Sequence, residues 1–263
     1  MKRKILLVSI ITLAIGMTAC KPTQNAKTDE DTAVTIGDNS QNSLDWEGTY
    51  SGVIPCVDCD GIGVQVNLKN DNTYNMTLTY RGKGVEPTNL SGAFSWNKEG
   101  NTITLAKSDY PSQLFVGENQ LFVLDKDGKK IMVEGIVNQE YILAKIPTDL
   151  VEKHWKLIEL MGEPVTYREG EREAFITFKA ENCRVHGNFG CNTFNGSYEI
   201  KFGDRIKFSQ MISTMMMCTN MELEQKFGEV LRMTDNYNLN GDVLVFNKAR
   251  MAPLARFEAV YAE

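Results

Sequence analysis

The residues of this chain best equipped for chemistry carry sulfur: six cysteines and twelve methionines, against only two histidines, His154 and His186. Cys56 and Cys59 bracket two residues. A β-turn at that spacing brings the two Cα atoms within about 7 Å, close enough for a disulfide. Three chemistries fit the pair: a bridge that pins its loop, a Cu(I) site built on soft thiolates, and a redox couple. The bridge leads. Redox chemistry of the thioredoxin type needs its first cysteine near a helix N-terminus, whereas a glycine-rich, strand-like segment follows Cys59. Two thiolates alone make an open copper site that still needs a third ligand. Met211, Met215, Met216, Met217 and Met221 cluster around Cys218. Thioethers also bind Cu(I), but methionine is an ordinary gap-filler in cores, and core packing is the expectation. Two histidines exclude a histidine-rich metal cage. His186 lies near Cys183 and Cys191 in sequence, but no Asp or Asn completes a triad. No catalytic residue is assigned, and the chain reads as non-catalytic.

Which of these chemistries operates depends on compartment, and Cys20 sets it. Lys2, Arg3 and Lys4 precede an apolar run over residues 5–15 and the approach Gly16-Met17-Thr18-Ala19. A basic start, a short apolar core and a small residue before the cut describe a secretory signal over residues 1–19. The core falls well short of the roughly 20 apolar residues that cross a bilayer as a helix. Met17-Thr18-Ala19-Cys20 resembles the bacterial lipobox, in which Leu more often occupies the Met17 position. The resemblance makes Cys20 the mature N-terminus and the site of lipidation (palmitate or a similar acyl chain). Two or three acyl chains anchor stably, at about 0.8 kcal/mol per buried CH₂. Residues 20–44 then read as a lipidated cysteine and flexible tether, too poor in apolar groups to offset ordering entropy. Its reach as a random coil is roughly 25–30 Å. Lys21 is not the aspartate that retains lipoproteins in the inner membrane in one well-studied sorting system. Outer-membrane attachment, on the periplasmic face or the cell surface, is therefore expected.

Removing residues 1–19 takes away three positive charges and no negative ones, so the formal charge moves from −6 to −9. A chain this acidic, without a basic stripe, is repelled by phosphate backbones, and nucleic acid is excluded as a partner. Apolar content of 42% is ordinary for a folded protein.

The elements that must position the cysteines are β-rich. Val64, Val66 and Leu68 alternate with Gln65, Asn67 and Lys69; after Asn70-Asp71-Asn72, Tyr74, Met76, Leu78 and Tyr80 repeat the pattern. Further strands are expected near residues 90–96, 102–105, 113–116, 120–124, 131–133 and 140–145, separated by turn signals. Period-two runs at this spacing predict a small antiparallel β-barrel over residues 45–146. After a junction at Ile146-Pro147-Thr148-Asp149, a second antiparallel β unit spans residues 150–263. It opens at Trp155 and Leu157, continues through 174–178 and 184–187, and bends through the turn-rich segment 190–196. Thr219 with Glu222 makes a capping box, and Leu223, Phe227, Val230 and Leu231 share one helical face. Strands at 243–246 and 254–257 close the unit, with the single helix packed on or plugging the sheet.

Two family resemblances rest on these residues. Gly52-Val53-Ile54-Pro55-Cys56-Val57-Asp58-Cys59-Asp60-Gly61-Ile62, with the later Phe94-Ser95-Trp96, resembles the N-terminal domain of the NlpE family. Those outer-membrane lipoproteins are linked to copper resistance and envelope-stress signalling and carry the domain as a lipocalin-like barrel. Trp155-Lys156-Leu157, Gly187, Gly190 through Tyr198, Ser213 through Cys218 and Glu224 through Leu231 resemble the META domain of HslJ-type lipoproteins, a family without an agreed chemistry. The better-known NlpE arrangement has an OB-like second domain, so signalling carried there is not inherited.

Export makes disulfides the default for the remaining five cysteines. The META resemblance implies that Cys191 and Cys218 are bridged or at least adjacent. Pairing of Cys183 with Cys191 is the alternative; otherwise Cys183 is the free thiol. Chain entropy gives a Cys56–Cys59 bridge about 2 kcal/mol and a Cys191–Cys218 bridge about 3.5 kcal/mol. The leading functional reading is a non-catalytic outer-membrane lipoprotein that takes part in envelope-stress response or copper tolerance through binding or sensing, with an envelope protein as partner. No cofactor beyond copper at Cys56 and Cys59 is implied, and oligomeric state stays open. The alternatives are a carrier that holds a lipid or small hydrophobe in the barrel, and a protein-interaction or inhibitor module.

Overall fold

The computed structural model describes residues 37–201, 204–217, 221–250 and 252–261. Cys20, Cys218, Thr219 and the signal segment lie outside the described residues. Among the described residues, no helix is long and apolar enough to cross a membrane.

Successive side chains of a strand point to opposite faces, so the alternation of the first unit folds as strands with an apolar inner face. These are β1 (Gly48–Ile54), β2 (Ile62–Leu68), β3 (Thr73–Tyr80), β4 (Thr88–Trp96), β5 (Thr102–Leu105), β6 (Gln113–Gly117) and β7 (Gln120–Val123). β8 (Met132–Val133) and β9 (Ile136–Val137) pair only with each other, and β10 (Ile142–Lys145) returns to the main sheet. The order β1-β10-β7-β6-β5-β4-β3-β2 closes into an antiparallel barrel of eight strands. Its interior is filled: Tyr50, Ile54, Val66, Tyr74, Ile103, Leu114, Leu121 and Leu143 are among the side chains buried against one another. Each contributes about 1.5–3 kcal/mol of transfer free energy. Gly52 faces inward because there is no room for more; a Cβ there would lie 2.8 Å from the Ile142 carbonyl oxygen and 2.9 Å from Leu143 Cδ2.

The end of the expected tether is folded. α1 (Ser40–Ser43) is a single turn held by a capping box between Asn39 and Asn42. Ser40 Oγ donates to the Val116 carbonyl at 2.7 Å, and Gln41 N donates to the Gly100 carbonyl at 2.9 Å. Trp46 Nε1 donates to the Gln41 carbonyl, while its ring packs edge-on against Phe94 and Trp96. The polar composition of residues 39–44 reads as tether, but local capping and one aromatic anchor fix them to the barrel.

The second unit is also a closed ring. β11 (His154–Leu160) carries the short β12 (Glu163–Pro164) and pairs with β13 (Ala174–Lys179), which pairs with β14 (Arg184–Phe189). Next come β15 (Thr193–Lys201), β16 (Arg205–Phe208) and the short β17 (Ile212–Ser213), which pairs with β15. α2 (Met221–Met233) leads to β18 (Asn236–Asn240), β19 (Val243–Lys248) and β20 (Ala252–Val260). β20 pairs back onto β11, so eight strands close around the core. α2 buries Phe227, Val230 and Leu231, and Phe227 meets the rings of Phe189, Phe194 and Phe257. The helix therefore plugs the barrel. The segment expected as a bend over 190–196 is a turn only to Asn192; β15 begins at Thr193, with Phe194 facing inward over Gly187. A Cβ on Gly187 would meet the Phe194 ring at 2.6 Å.

The two barrels pack together. Ile146 and Leu150 of the connecting segment sit in the core of the second barrel, and Trp155 Nε1 donates to the Leu150 carbonyl at 2.8 Å. On the outer face of β2, Gln65 bonds the Ala180 carbonyl and accepts from Asn182 N at 2.9 Å. Arg81 pairs with Glu199 at 2.5 Å.

Candidate functional site

In an up-and-down barrel, alternate connections lie at opposite ends. Residues 55–61, 81–87, 106–112 and 124–141 therefore share one end, opposite to α1 and to the junction with the second barrel. Cys56 and Cys59 stand in the first of these loops and are bridged, with Cα atoms 5.3 Å apart. Gly61 (φ +126°) turns the chain into β2 in a conformation that favours glycine. Arg81 N donates to the Gly61 carbonyl and Asp60 N to the Arg81 carbonyl, so the loop is stitched to the next connection. Lys83 Nζ bonds Asp58 Oδ2 at 2.6 Å, and that lysine holds the Asp58 carboxyl below the usual carboxylate range.

Potential ligand atoms of Cys56, Asp58 and Cys59 all lie within 4.8 Å of one another. While bridged, the sulfurs offer no thiolate. Reduction would give two soft ligands beside one hard carboxylate already engaged by Lys83, and a carboxylate is a poor third ligand for Cu(I).

The same end carries an apolar crown. Val57, Val85, Tyr110, Met132, Val133 and Ile136 are exposed, with Ile136 70% so. They come from all four loops, and among the described residues the first barrel exposes its large apolar side chains nowhere else. Three of them sit on the β8–β9 hairpin, whose two turn residues, Glu134 (φ 51°) and Gly135 (φ 80°), both have positive φ, as a type I′ turn requires. The hairpin is held at its base, where Asn138 N donates to the Ile131 carbonyl at 2.9 Å. Lys130 Nζ lies 3.8 and 4.0 Å from the ring centroids of Phe115 and Phe122. Burial lowers the Lys130 pKa. The single strand expected near 131–133 is thus a hairpin, signalled in the sequence by the Glu134-Gly135 turn between two apolar pairs.

In the second barrel, Cys191 is disulfide-bonded; its expected partner Cys218 lies outside the described residues. The neighbouring Asn192, 1% exposed, organises the site. Its Oδ1 accepts from Met216 N at 2.8 Å and Thr214 Oγ1 at 2.7 Å. Its Nδ2 donates to the Met216 carbonyl at 3.0 Å and to Glu224 of α2 at 3.0 and 2.9 Å. The loop before the helix is thus fixed through its backbone. The expectation that the methionines fill the core is corrected for most of them. Met211 packs over Gly196, but Met215 and Met217 are 96% and 99% exposed, and Met216 and Met221 are exposed too. The clamp holds the main chain and turns those side chains outward.

Cys183 is a free thiol, 9% exposed. It sits after Asn182, and both residues have positive φ. The thiol donates to Ser51 Oγ at 3.1 Å across the seam between the barrels. Burial pushes its pKa up, against a smaller lowering by Ser51. A thiol kept protonated by burial is arranged for packing rather than nucleophilic attack. His154 stacks on Phe175 and bonds Glu173 at 2.8 Å, and burial lowers the pKa of His186.

Residues 50–134 match the family model for the NlpE N-terminal domain, and residues 148–261 match that for the META domain. The chain is 29% identical over 84 residues to Lipoprotein NlpE of Escherichia coli (strain K12). That match covers 32% of this chain and 36% of the relative, so the chain spans about a third of that protein's length. A solved structure described as a lipoprotein from Shewanella oneidensis is 41% identical, covering 41% of this chain and 96% of that one, with a TM-score of 0.38. The crystal structure of the Cpx pathway activator NlpE from Escherichia coli is 16% identical, covering 62% of this chain and 95% of that one, with a TM-score of 0.27.

Proposed function

We propose that this chain, which joins an NlpE N-terminal domain to a META domain, is a non-catalytic, lipid-anchored protein of the outer membrane that reports envelope stress by docking a protein partner. One observation carries the reading: the exposed apolar side chains of the first barrel are gathered in the loops at its far end. Ser40 and Gln41 bond to Val116 and Gly100 at the opposite end, so the segment that leads into the barrel leaves the crown uncovered. Exposed apolar side chains set among polar loop residues have the composition of an interaction surface. The packed barrel interior favours this reading over a ligand carrier.

Replacing Val133 and Ile136 together by Ser tests it. Both side chains are exposed, so folding stability should change by no more than about 0.5 kcal/mol, while the induction of an envelope-stress reporter by the overproduced protein should be lost. Full induction by a variant that is equally abundant and equally stable would refute the docking role.

Copper at Cys56 and Cys59 is a second reading, favoured by the convergence of Cys56, Asp58 and Cys59. It requires the reduced pair. Copper tolerance that survives Cys56→Ser with Cys59→Ser would remove it.

A further inference from the structure

The methionines of the second barrel need another explanation than packing. Met215 and Met217 are almost wholly exposed, while the intervening Met216 is about half so. This alternation is that of an extended segment whose odd-numbered side chains share one side. The segment continues the β17–β15 pairing, since Thr214 N donates to the Thr193 carbonyl at 3.1 Å. Met221 opens the helical turn that carries Glu224, and Glu224 is bonded to the same Asn192 amide that fixes Met216. One buried side chain thus bonds both the backbone of the loop and the Glu224 carboxylate in the first turn of the helix, and the methionines of both segments are exposed.

We propose that Met215, Met217 and Met221 form a thioether site for a soft monovalent cation, Cu(I) or Ag(I). Thioether sulfur is a soft donor that selects such ions over hard divalent cations. It carries no proton in the physiological range, so binding needs no deprotonation. It also forms no disulfide. In an oxidising compartment, where the sulfurs of Cys56 and Cys59 are tied to each other, these thioethers are still available as ligands. A preformed backbone removes part of the ordering cost that a free methionine-rich strand would carry on binding. The site does not depend on the stress-reporting role of the first barrel.

Silver(I), which is soft and without redox chemistry under assay conditions, is the probe. The full-length chain, labelled with ¹³C in its methionine methyl groups, is titrated with silver nitrate. The methyl resonances of Met215, Met217 and Met221 should move together and saturate at one equivalent. That of Met76, buried in the first barrel, should not move. Met215→Leu with Met217→Leu, an exposed and nearly isosteric change, should weaken Ag(I) binding by at least about tenfold with an unchanged melting temperature. Cys56→Ser with Cys59→Ser should leave binding as it was. Static methyl resonances, or wild-type affinity in the leucine variant, would overturn the site, as would loss of binding in the serine variant.

Discussion

Asn192→Ala should be among the most damaging single changes in the second barrel. Truncation strands the amide N–H and the carbonyl of Met216 and removes two contacts from the Glu224 carboxylate. Three neutral hydrogen bonds, with Met216 N, Met216 O and Thr214 Oγ1, at about 1 kcal/mol each and one charged interaction at about 1.5–3 kcal/mol give a loss of about 4.5–6 kcal/mol. For a cooperative unit of this size, each kcal/mol lowers the melting temperature by about 2–4 °C, so the melt should fall by roughly 9–24 °C. Asn192→Asp keeps the shape but replaces the donor facing Glu224, at 2.9 Å, with a second carboxylate oxygen. It should cost more than alanine at neutral pH. Adding Glu224→Gln restores a donor to that contact and should recover part of the loss. Thermal melts followed by circular dichroism on the four proteins decide the matter. A fall below about 2 °C for Asn192→Ala, or no recovery in the double variant, would show that the clamp does not hold the loop.

Other expectations follow from the seam, the bridge and the barrel wall. Burial favours the neutral thiol of Cys183, so its folded pKa stands above the ordinary 9.0. The stability it contributes is complete below that value and is lost as pH rises beyond it; unfolding free energies measured from about pH 7 to 10 should decline more steeply for wild type than for Cys183→Ser. Cys56→Ser with Cys59→Ser should cost about 2 kcal/mol in urea unfolding, in keeping with so short a closed loop. Gly52→Ala drives a methyl into the backbone of β10 and should cost about 1–3 kcal/mol; a neutral result would mean the barrel wall moves freely there.

Where one face of a strand is buried and the other wet, the alternation is written in the residues, and β3 and β5 were legible to within a residue. The helix was legible for the same reason, since Phe227, Val230 and Leu231 recur at its period. β18 was not. Asn236-Tyr237-Asn238-Leu239-Asn240 has little β propensity; its place is set by the burial of Tyr237 and by Asn247 Nδ2, which bonds Asn236 and Asn238 from β19. The two features on which the proposals rest were the least legible. Apolar residues in a sequence signal a core, and nothing local distinguishes Ile136 or Met217 from Ile103 or Met76. Only barrel topology gathers the crown loops at one end, and only the amide of Asn192, distant in sequence, turns the methionines outward.

An even number of strands has a consequence beyond closure. Because β1 begins and β10 ends at the same rim, where Tyr50 faces Lys145, the first barrel is a cassette with both of its connectors on one side. Whatever is fused downstream joins at that rim, and of the loops at the other end the one that opens with Arg81 reaches the second barrel, through Glu199. Such a module can be spliced ahead of unrelated partners without rerouting either connector.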